Sequence, residues 1–433
     1  MIALPIILLF LGGAACNLAL LARMRLLRID FLDGILIGQV YYVVIPMAVF
    51  LIAGETAMPP LSLVYRPYED LSTTGLLIAG LYLFPLLRVL APPTRTARCD
   101  SDPQMLSVVL ALFIVSGLLS FLASGLAHGG HWQGNVDAAM RNPAFVVLKY
   151  VANVSRNAVF AVLLHRVASG WMSAARAICL GSGCALFDLA TTFNRITAVY
   201  LLLMVLLLLK DRPLRMVATG AGSLAGLSLV SAYWPAFRGL ATAQGYSVAS
   251  FASAWDSARR AGAGSASSGA LDAAMNGVFE SSNIVVLNWI VEHFGSFDRP
   301  FLVSAMYARP LTLLLPASLW PQRPENFGLT LGDAIAGNPS LALNSTLFGE
   351  AFANFGWFWP VGLGAFVLFW HFAFRLLAPH SRVVQTMGAF AAIAMWRFDA
   401  SFVGCAFLLT AALTFALACA RIVRLSSTRG SYA

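Results

Sequence analysis

Long, continuous apolar segments recur from one end of the chain to the other. Each is close to the ~20 residues that a helix needs to cross the hydrocarbon core of a bilayer. The apolar positions run without alternation, which favours membrane helices over the strands of a barrel. The pattern predicts an all-α, polytopic integral membrane protein with about eleven transmembrane helices. The predicted spans cover residues 2–22, 34–53, 72–90, 104–126, 144–166, 174–190, 193–209, 216–236, 352–377, 383–400 and 402–420.

Composition strengthens this prediction. Hydrophobic residues make up 59% of the chain and charged residues only 11%, whereas a soluble domain carries roughly a quarter charged residues. The deficit extends over the whole length, which excludes a soluble fold with a single anchor. The six cysteines fall within predicted spans or on the predicted inner side, so no disulfide framework is expected.

Basic residues gather at alternate ends of the predicted spans and therefore predict an orientation. Arginine-rich clusters follow the first, third, seventh and ninth spans and also close the chain. Under the positive-inside rule, one alternation places all of them in the cytoplasm, with the N-terminus periplasmic and the C-terminus cytoplasmic. The net charge of +9 is thus explained by topology in a bacterial inner membrane. No nucleic-acid motif accompanies it, so nucleic-acid binding is not expected.

This topology divides the chain into three parts. Residues 1–236 form an N-terminal transmembrane bundle of about eight helices. Residues 237–351 form one large periplasmic loop with amphipathic or interfacial helices, including a predicted helix at Val278–Phe294. Residues 352–433 form about three C-terminal transmembrane helices and a cytoplasmic tail.

Charged side chains at membrane depth are costly and often functional. Arg156 lies near the middle of the fifth predicted span, Asp188 and Arg195 bracket an outer turn, and Arg397 and Asp399 end the tenth span. All but Arg156 lie at the predicted outer boundary. Structural alternatives stay open for each: Arg156 could satisfy backbone carbonyls or a neighbouring span, and the other residues could form ion pairs.

The end of the long loop is dense in polar and aromatic residues. Arginines present planar donors that match phosphate oxygens, carboxylates can orient or deprotonate a hydroxyl, and aromatic rings can pack against sugars. An alternative interpretation assigns the charges to solvated loops, Glu350 to a helix N-terminus and the aromatics to an interfacial belt. The candidate residues of this region are Arg309, Trp320, Arg323, Glu325, Asn344, Glu350 and Asn354.

Several motifs are absent from the sequence. It contains no Walker loop, no H-E-x-x-H pair and no aspartate-rich cluster for a chelated metal. These absences disfavour an ATP-driven transporter, a zincin-type protease and a metal-dependent nucleotide-sugar transferase. His128 and His131 have no third ligand nearby. We therefore predict neither a metal nor another cofactor.

Three local patterns resemble the O-antigen polymerase (Wzy-type) family of oligosaccharide repeat-unit polymerases. Thr192-Phe193-Asn194-Arg195 resembles the small-polar-then-arginine turn that precedes an apolar span in that family. The segment Pro316 to Gly328 resembles a Pro-x-x-Leu-Trp-Pro-Lys/Arg-Pro loop motif followed by Gly. Phe348 to Gly356 resembles a Gly-Glu-aromatic-x-Asn-Phe-Gly segment that opens the next span. The motifs cover about thirty residues, while the arrangement of spans and late loop covers nearly the whole chain.

The resemblance implies a membrane glycosyltransferase that uses undecaprenyl-diphosphate-linked oligosaccharide at the periplasmic leaflet. The charged residues fit this chemistry: Arg195 and Arg323, together with Arg309 and Arg397, would stabilise the diphosphate. Glu350, with Glu325 and Asp399 as alternatives, would activate the acceptor hydroxyl. A flippase and a chain-length regulator are the implied protein partners. The expected substrate-binding residues are Arg156, Arg309, Trp320, Glu325, Asn344, Asn354, Arg397 and Asp399.

Two other classes compete with this interpretation. An O-antigen ligase usually shows a His-Asn pair before the span that follows its outer loop, but here Leu343 precedes Asn344. A flippase or secondary transporter would bind substrate near the midplane with broken helices, and Arg156 and the glycine-rich stretch Gly220–Gly226 keep that alternative open. A structural subunit of an export complex is a third alternative.

Overall fold

The structure is a computed structural model in which most of the described residues are helical. It describes residues 3–58, 61–93, 105–123, 143–192, 196–222, 233, 237, 240, 249–250, 252–257, 281–296, 299–302, 307, 309, 326–339, 341–377, 381–397 and 400–430. Within these ranges the strands form one antiparallel hairpin, in which β1 (Thr56–Met58) pairs with β2 (Leu63–Tyr65).

The helices follow the predicted apolar segments closely in the first half of the chain. They are α1 (Ala3–Arg23), α2 (Phe31–Gln39), α3 (Ile45–Ala53), α4 (Leu71–Leu90), α5 (Met105–Ala123), α6 (Pro143–Ala168), α7 (Ala174–Thr192) and α8 (Ile196–Leu208). A π-helical turn, Val40–Val44, joins α2 to α3, so the two helices form one apolar segment. The predicted span at 216–236 lies partly outside the described residues; residues 213–222 are helical.

The second half contributes six further helices. They are α9 (Ser282–His293), α10 (Phe327–Ala336), α11 (Leu347–Phe355), α12 (Trp359–Leu377), α13 (Arg382–Met395) and α14 (Ser401–Gly430). The helix predicted at Val278–Phe294 is confirmed for its described part. The stretch Ala261–Ala274, which is rich in glycine, serine and alanine, lies outside the described residues.

Seven of the described helical segments are long and apolar enough to cross a membrane. Shorter apolar helices accompany them, at Ile196–Leu208, Phe327–Ala336, Arg382–Met395 and Ser401–Ala416. The prediction of an all-α protein with several potential transmembrane helices is confirmed. The total of about eleven spans stays a prediction. The seven segments are Ala3–Arg23, Phe31–Ala53, Leu71–Leu90, Met105–Ala123, Val147–Ala168, Ala174–Thr191 and Leu347–Leu377.

The segment predicted to begin at residue 352 begins earlier and is broken. Helix α11 starts at Leu347, ends before Gly356, and is followed by a 3-10 turn, Gly356–Phe358, before α12. Gly356 has a φ of +56°, a conformation that side chains disfavour. A Cβ there would also lie 2.7 Å from the ring of Phe301. The glycine therefore produces a break that hydropathy alone did not indicate.

Helix α13 lies at the centre of the bundle, and every residue from Val383 to Trp396 is buried. Helix α2 approaches it so closely that a Cβ on Gly34 would meet the Ala389 carbonyl oxygen at 2.1 Å. A Cβ on Gly38 would meet the Trp396 ring at 2.0 Å, and the Trp396 indole donates a hydrogen bond of 3.1 Å to the Ile35 carbonyl. Small residues thus bring two helix backbones into direct contact, as is common in membrane bundles.

The loop helix α9 is a packed part of the core. Its residues Asn283 to Ile290 are all buried. Asn288 accepts a hydrogen bond of 2.6 Å from the Thr73 hydroxyl on α4 and donates one of 3.4 Å to the Val64 carbonyl on β2. Part of the predicted loop therefore folds onto the hairpin and the first turn of α4.

Candidate functional site

Arg156 is a fully buried cation that joins neighbouring helices. Its Nη1 donates a hydrogen bond of 2.9 Å to Asp188 on α7, and the two side chains are 0% and 1% exposed. The Thr197 hydroxyl on α8 also donates to Asp188, while the guanidinium lies 5.6 Å from the centre of the Tyr200 ring. The sequence left two structural alternatives for Arg156, backbone carbonyls or a neighbouring span. The structure shows the second, an ion pair with Asp188 on α7.

Several buried polar atoms in and around this ion pair make no hydrogen bond. Within the described part of the chain, Nε and Nη2 of Arg156 have no hydrogen-bond partner, and the same holds for the Tyr200 hydroxyl and the Asn157 amide. A buried polar group without a partner costs roughly 1–3 kcal/mol. These groups could therefore accommodate a polar ligand or bound water.

Arg397 is the second candidate cation. It directly follows the buried Trp396 at the end of α13 and is itself half-buried. It lies shortly before Ala400, whose backbone N–H donates a hydrogen bond to Glu350.

Glu350 lies on α11 and is only 3% exposed. Its Oε2 accepts a hydrogen bond of 2.9 Å from the backbone N–H of Ala400, which directly precedes α14. A carboxylate is stabilised at a helix N-terminus, so Glu350 holds the start of α14. Burial, together with the nearby Glu350 charge, raises the pKa of Tyr307 well above its usual value. The Tyr307 ring packs against Phe355 of the same helix α11, with ring centres 5.3 Å apart.

Aromatic packing places α11 beside the Arg397 turn. The Phe348 ring stacks on Phe84 at 5.8 Å and meets Trp396 edge-on at 5.4 Å. A Cβ on Gly80 would lie 2.2 Å from the Phe348 ring, so only a glycine leaves room for it. Phe348 thus links the helix that carries Glu350 to the residue that precedes Arg397.

The other predicted residues are distributed more widely. Asn354 is buried and donates a hydrogen bond of 2.7 Å to the Glu350 carbonyl. Asn344 is exposed and Arg309 is half-buried. The structure places Glu350 beside the turn that contains Arg397, through its hydrogen bond to Ala400, whereas Arg156 is paired with Asp188 inside the bundle. Predicted residues that lie outside the described part of the chain are Arg195, Trp320, Arg323, Glu325 and Asp399.

A second buried charge cluster, which sequence reasoning missed, lies at the opposite end of α2 and α13. Arg88, at the end of the third predicted span, belongs to the basic clusters that predict the inner side, but it is only 8% exposed. It contacts Asp30 at 2.8 Å and Asp33 at 2.9 Å, and His371 lies beside Asp30. Two aspartates at the start of an apolar segment, with apolar neighbours on both sides, were the signal in the sequence.

The described residues contain no group of three or more His, Cys, Asp or Glu side chains that could hold a metal ion. Of the cysteines in the described ranges, Cys16, Cys179, Cys184 and Cys419 are free thiols. Comparisons with protein-family models, curated proteins and solved structures found no match, so membership of a family stays a prediction.

Proposed function

We propose that this protein is a polysaccharide polymerase of the bacterial envelope. It transfers undecaprenyl-diphosphate-linked glycan onto the next lipid-linked repeat unit at the periplasmic face of the inner membrane. The observation that supports this most strongly is the buried carboxylate of Glu350 on α11, which accepts a hydrogen bond from the Ala400 N–H, close in the chain to Arg397.

The reaction needs two kinds of group. Breaking the bond between the anomeric carbon and the diphosphate leaves negative charge on phosphate oxygens, which guanidinium donors stabilise. Forming the new glycosidic bond requires the acceptor hydroxyl to lose its proton, which a carboxylate can take. In this proposal Arg397, Arg195 and Arg323 stabilise the leaving group, Arg156 contributes positive charge from within the bundle, and Glu350 accepts the proton.

The proposal includes the topology. The basic clusters at alternate span ends place the N-terminus in the periplasm and the C-terminus in the cytoplasm. About eleven spans would then carry residues 237–351 on the periplasmic side. A flippase would supply the lipid-linked repeat units, and a chain-length regulator would act on the growing polymer.

Glu350→Gln tests the proposal because it separates chemistry from structure. The amide oxygen of glutamine can still accept the hydrogen bond from Ala400, whereas the amide cannot act as a base. We expect a loss of about 10²-fold or more in polymer formation from carrier-linked oligosaccharide by the purified protein. The matched control is Glu69→Gln, the same change at an exposed carboxylate, which should leave the rate unchanged.

Polymer length in cells provides the second measurement. With equal amounts of membrane protein, Glu350→Gln, Arg195→Ala and Arg323→Ala should each leave single repeat units on the carrier. Wild-type chain distributions in all three variants would exclude the proposed site. A ligase would instead leave long chains attached to the carrier.

A flippase or transporter is the second candidate, and specific features favour it. The segment Leu347–Leu377 is broken at Gly356, and Phe31–Ala53 contains a π-helical turn. Interrupted helices and a buried cation are typical of transporters that bind near the midplane. Polymer formation in detergent, where no second compartment exists, would exclude this candidate. Movement of carrier-linked glycan across vesicles without polymer formation would establish it.

A further inference from the structure

Helix α4 contains a proline in its interior. Pro85 lies five residues before the helix ends at Leu90. A proline has no backbone N–H, so the Leu81 carbonyl, four residues earlier, lacks the donor that an uninterrupted helix would supply. Leu81 and Pro85 are both buried, and a buried carbonyl without a partner is costly because no water replaces the lost hydrogen bond. The hydrogen-bond pattern of α4 therefore has a gap that needs a donor from another part of the chain.

Asn17 on α1 supplies that donor. Its Nδ2 donates a hydrogen bond of 2.8 Å to the Leu81 carbonyl and another of 2.8 Å to the Gly13 carbonyl of its own helix. Asn17 is 0% exposed. Because a carbonyl oxygen can only accept, the amide nitrogen rather than the amide oxygen must face it. One amide group thus connects α1 to the carbonyl that Pro85 leaves without its usual partner.

Gln39 on α2 binds the adjacent carbonyl. Its Nε2 donates a hydrogen bond of 2.7 Å to the Gly80 carbonyl, and Gln39 is also 0% exposed. Gly80 and Leu81 are consecutive, so amides from two different helices bind the turn that directly precedes Pro85. Donors from neighbouring helices are what allows a proline inside a membrane helix. We call Asn17 and Gln39 the amide pair.

A second hydrogen bond joins α1 to α4 without filling the gap. The Tyr82 hydroxyl on α4 donates to the Leu9 carbonyl on α1, at 2.8 Å. Gly13 permits the close approach of the two helices, since a Cβ there would lie 2.7 Å from the Leu81 Cβ. Tyr82 therefore contributes to the contact between α1 and α4 but supplies no donor to the Leu81 carbonyl.

We propose that residues 80–85 form a hinge in α4 and that the amide pair holds this hinge closed. With both amides bound, α4 moves as one helix. Without them, the segments before and after the hinge change their angle, because the main-chain hydrogen bond that would resist bending is absent at Pro85. The hinge also contacts α11, since Phe84 stacks on Phe348 at 5.8 Å. This inference does not depend on the proposed polymerase activity.

Hydrogen exchange of α4 in the purified protein tests the hinge. Asn17→Leu removes the donor but keeps a side chain of similar size, so the amides of residues 81–90 should exchange on the order of 10-fold faster. In a Pro85→Ala background, the new N–H of residue 85 can donate to the Leu81 carbonyl. There Asn17→Leu should change the rate by roughly twofold or less. Gln39→Leu should show the same dependence on residue 85.

Tyr82→Phe is the matched control. It removes the other hydrogen bond between α1 and α4 and leaves the Leu81 carbonyl with its donor. Its effect on exchange should therefore be the same with proline or with alanine at position 85. Equal acceleration by Asn17→Leu in both backgrounds would overturn the proposal, because Asn17 would then only anchor α1. Unchanged exchange in Asn17→Leu with Pro85 present would overturn it as well.

The yield of folded protein covers the case in which Asn17→Leu does not fold. The double variant Asn17→Leu, Pro85→Ala should then fold, because the main chain supplies the missing donor. Failure of both variants to fold would contradict the proposal. Pro85→Ala alone should slow the exchange of residues 81–90, since it closes the gap, and equal or faster exchange would count against a hinge.

The distance between spin labels at the two ends of α4 measures the bending itself. Ser72 and Val89 are exposed, and labels there, in a variant without the native cysteines, should lie about 25 Å apart. The distance distribution should be narrow when the amide pair is intact and broad in the double variant Asn17→Leu, Gln39→Leu. A distribution that stays narrow in the double variant would mean that α4 has no hinge.

Discussion

Arg156 donates a hydrogen bond of 2.9 Å to Asp188 across two neighbouring helices, and neither side chain has measurable contact with solvent. In a buried environment the attraction between the two charges is strong, but it is needed to offset the free energy that each charge loses when it is removed from water. This relationship gives the first prediction.

Replacing Arg156 with methionine should destabilise the protein by about 3–5 kcal/mol, because it leaves Asp188 buried without a partner. The double variant Arg156→Met, Asp188→Leu should recover much of that loss, because it removes both charges together. Denaturant unfolding of the purified protein measures both. Arg66→Ala, which removes an exposed ion pair, is the control and should change stability little. Equal stability of the single and double variants would contradict the prediction.

Gly34→Ala and Gly38→Ala should each destabilise the bundle by about 1–3 kcal/mol. The new methyl groups would meet the Ala389 backbone and the Trp396 ring, respectively, and force α2 away from α13. Gly75→Ala is the matched control on α4, where a Cβ would meet nothing within 4 Å. There the helix should become slightly more stable, because alanine is the better helix former. Three equal thermal unfolding shifts would exclude the close packing.

Thr73→Val should loosen the loop helix α9. The variant keeps the side-chain shape but removes the hydroxyl that donates to Asn288, which leaves a buried amide oxygen without that donor, at a cost of roughly 1–3 kcal/mol. Hydrogen exchange of Ser282–His293 should become faster. Ser72→Ala, at an exposed position one residue away, should leave exchange unchanged. Identical protection in both variants would mean that the contact does not hold α9.

Tyr65 should make the protein sensitive to alkaline pH. It is fully buried, its hydroxyl contacts Thr74 at 2.8 Å, and burial raises its pKa above the ordinary value. The folded state therefore keeps a proton that the unfolded chain loses above about pH 10. The resulting stabilisation is complete below that pH and declines as pH rises through the folded-state pKa.

Tyr65→Phe should accordingly show a shallower loss of stability at alkaline pH, measured as the unfolding temperature from about pH 8 to about pH 11. Absorbance of the tyrosinate form in the same samples provides the check. If the signal of the Tyr65 phenolate appears before the unfolding transition, the buried hydroxyl does not have the raised pKa.

The sequence alone predicted the helical membrane class and most helix positions, because an apolar segment of sufficient length is a local property of the chain. It also indicated Arg156, Arg397 and Glu350 as unusual, since charges near or within apolar segments are costly wherever they are placed. The break at Gly356 was missed because hydropathy is insensitive to backbone conformation.

The partners of the charged residues were decided by tertiary structure. Arg88 donates a hydrogen bond to Asp30, which lies 58 positions away in the sequence. Glu350 accepts one from the Ala400 N–H, which lies 50 positions away. The sequence predicted Arg88 to be a surface charge, because a basic residue at a span end normally reaches water. Which charges are paired, and whether water reaches them, depends on contacts between distant helices. No local pattern in the sequence predicts those contacts.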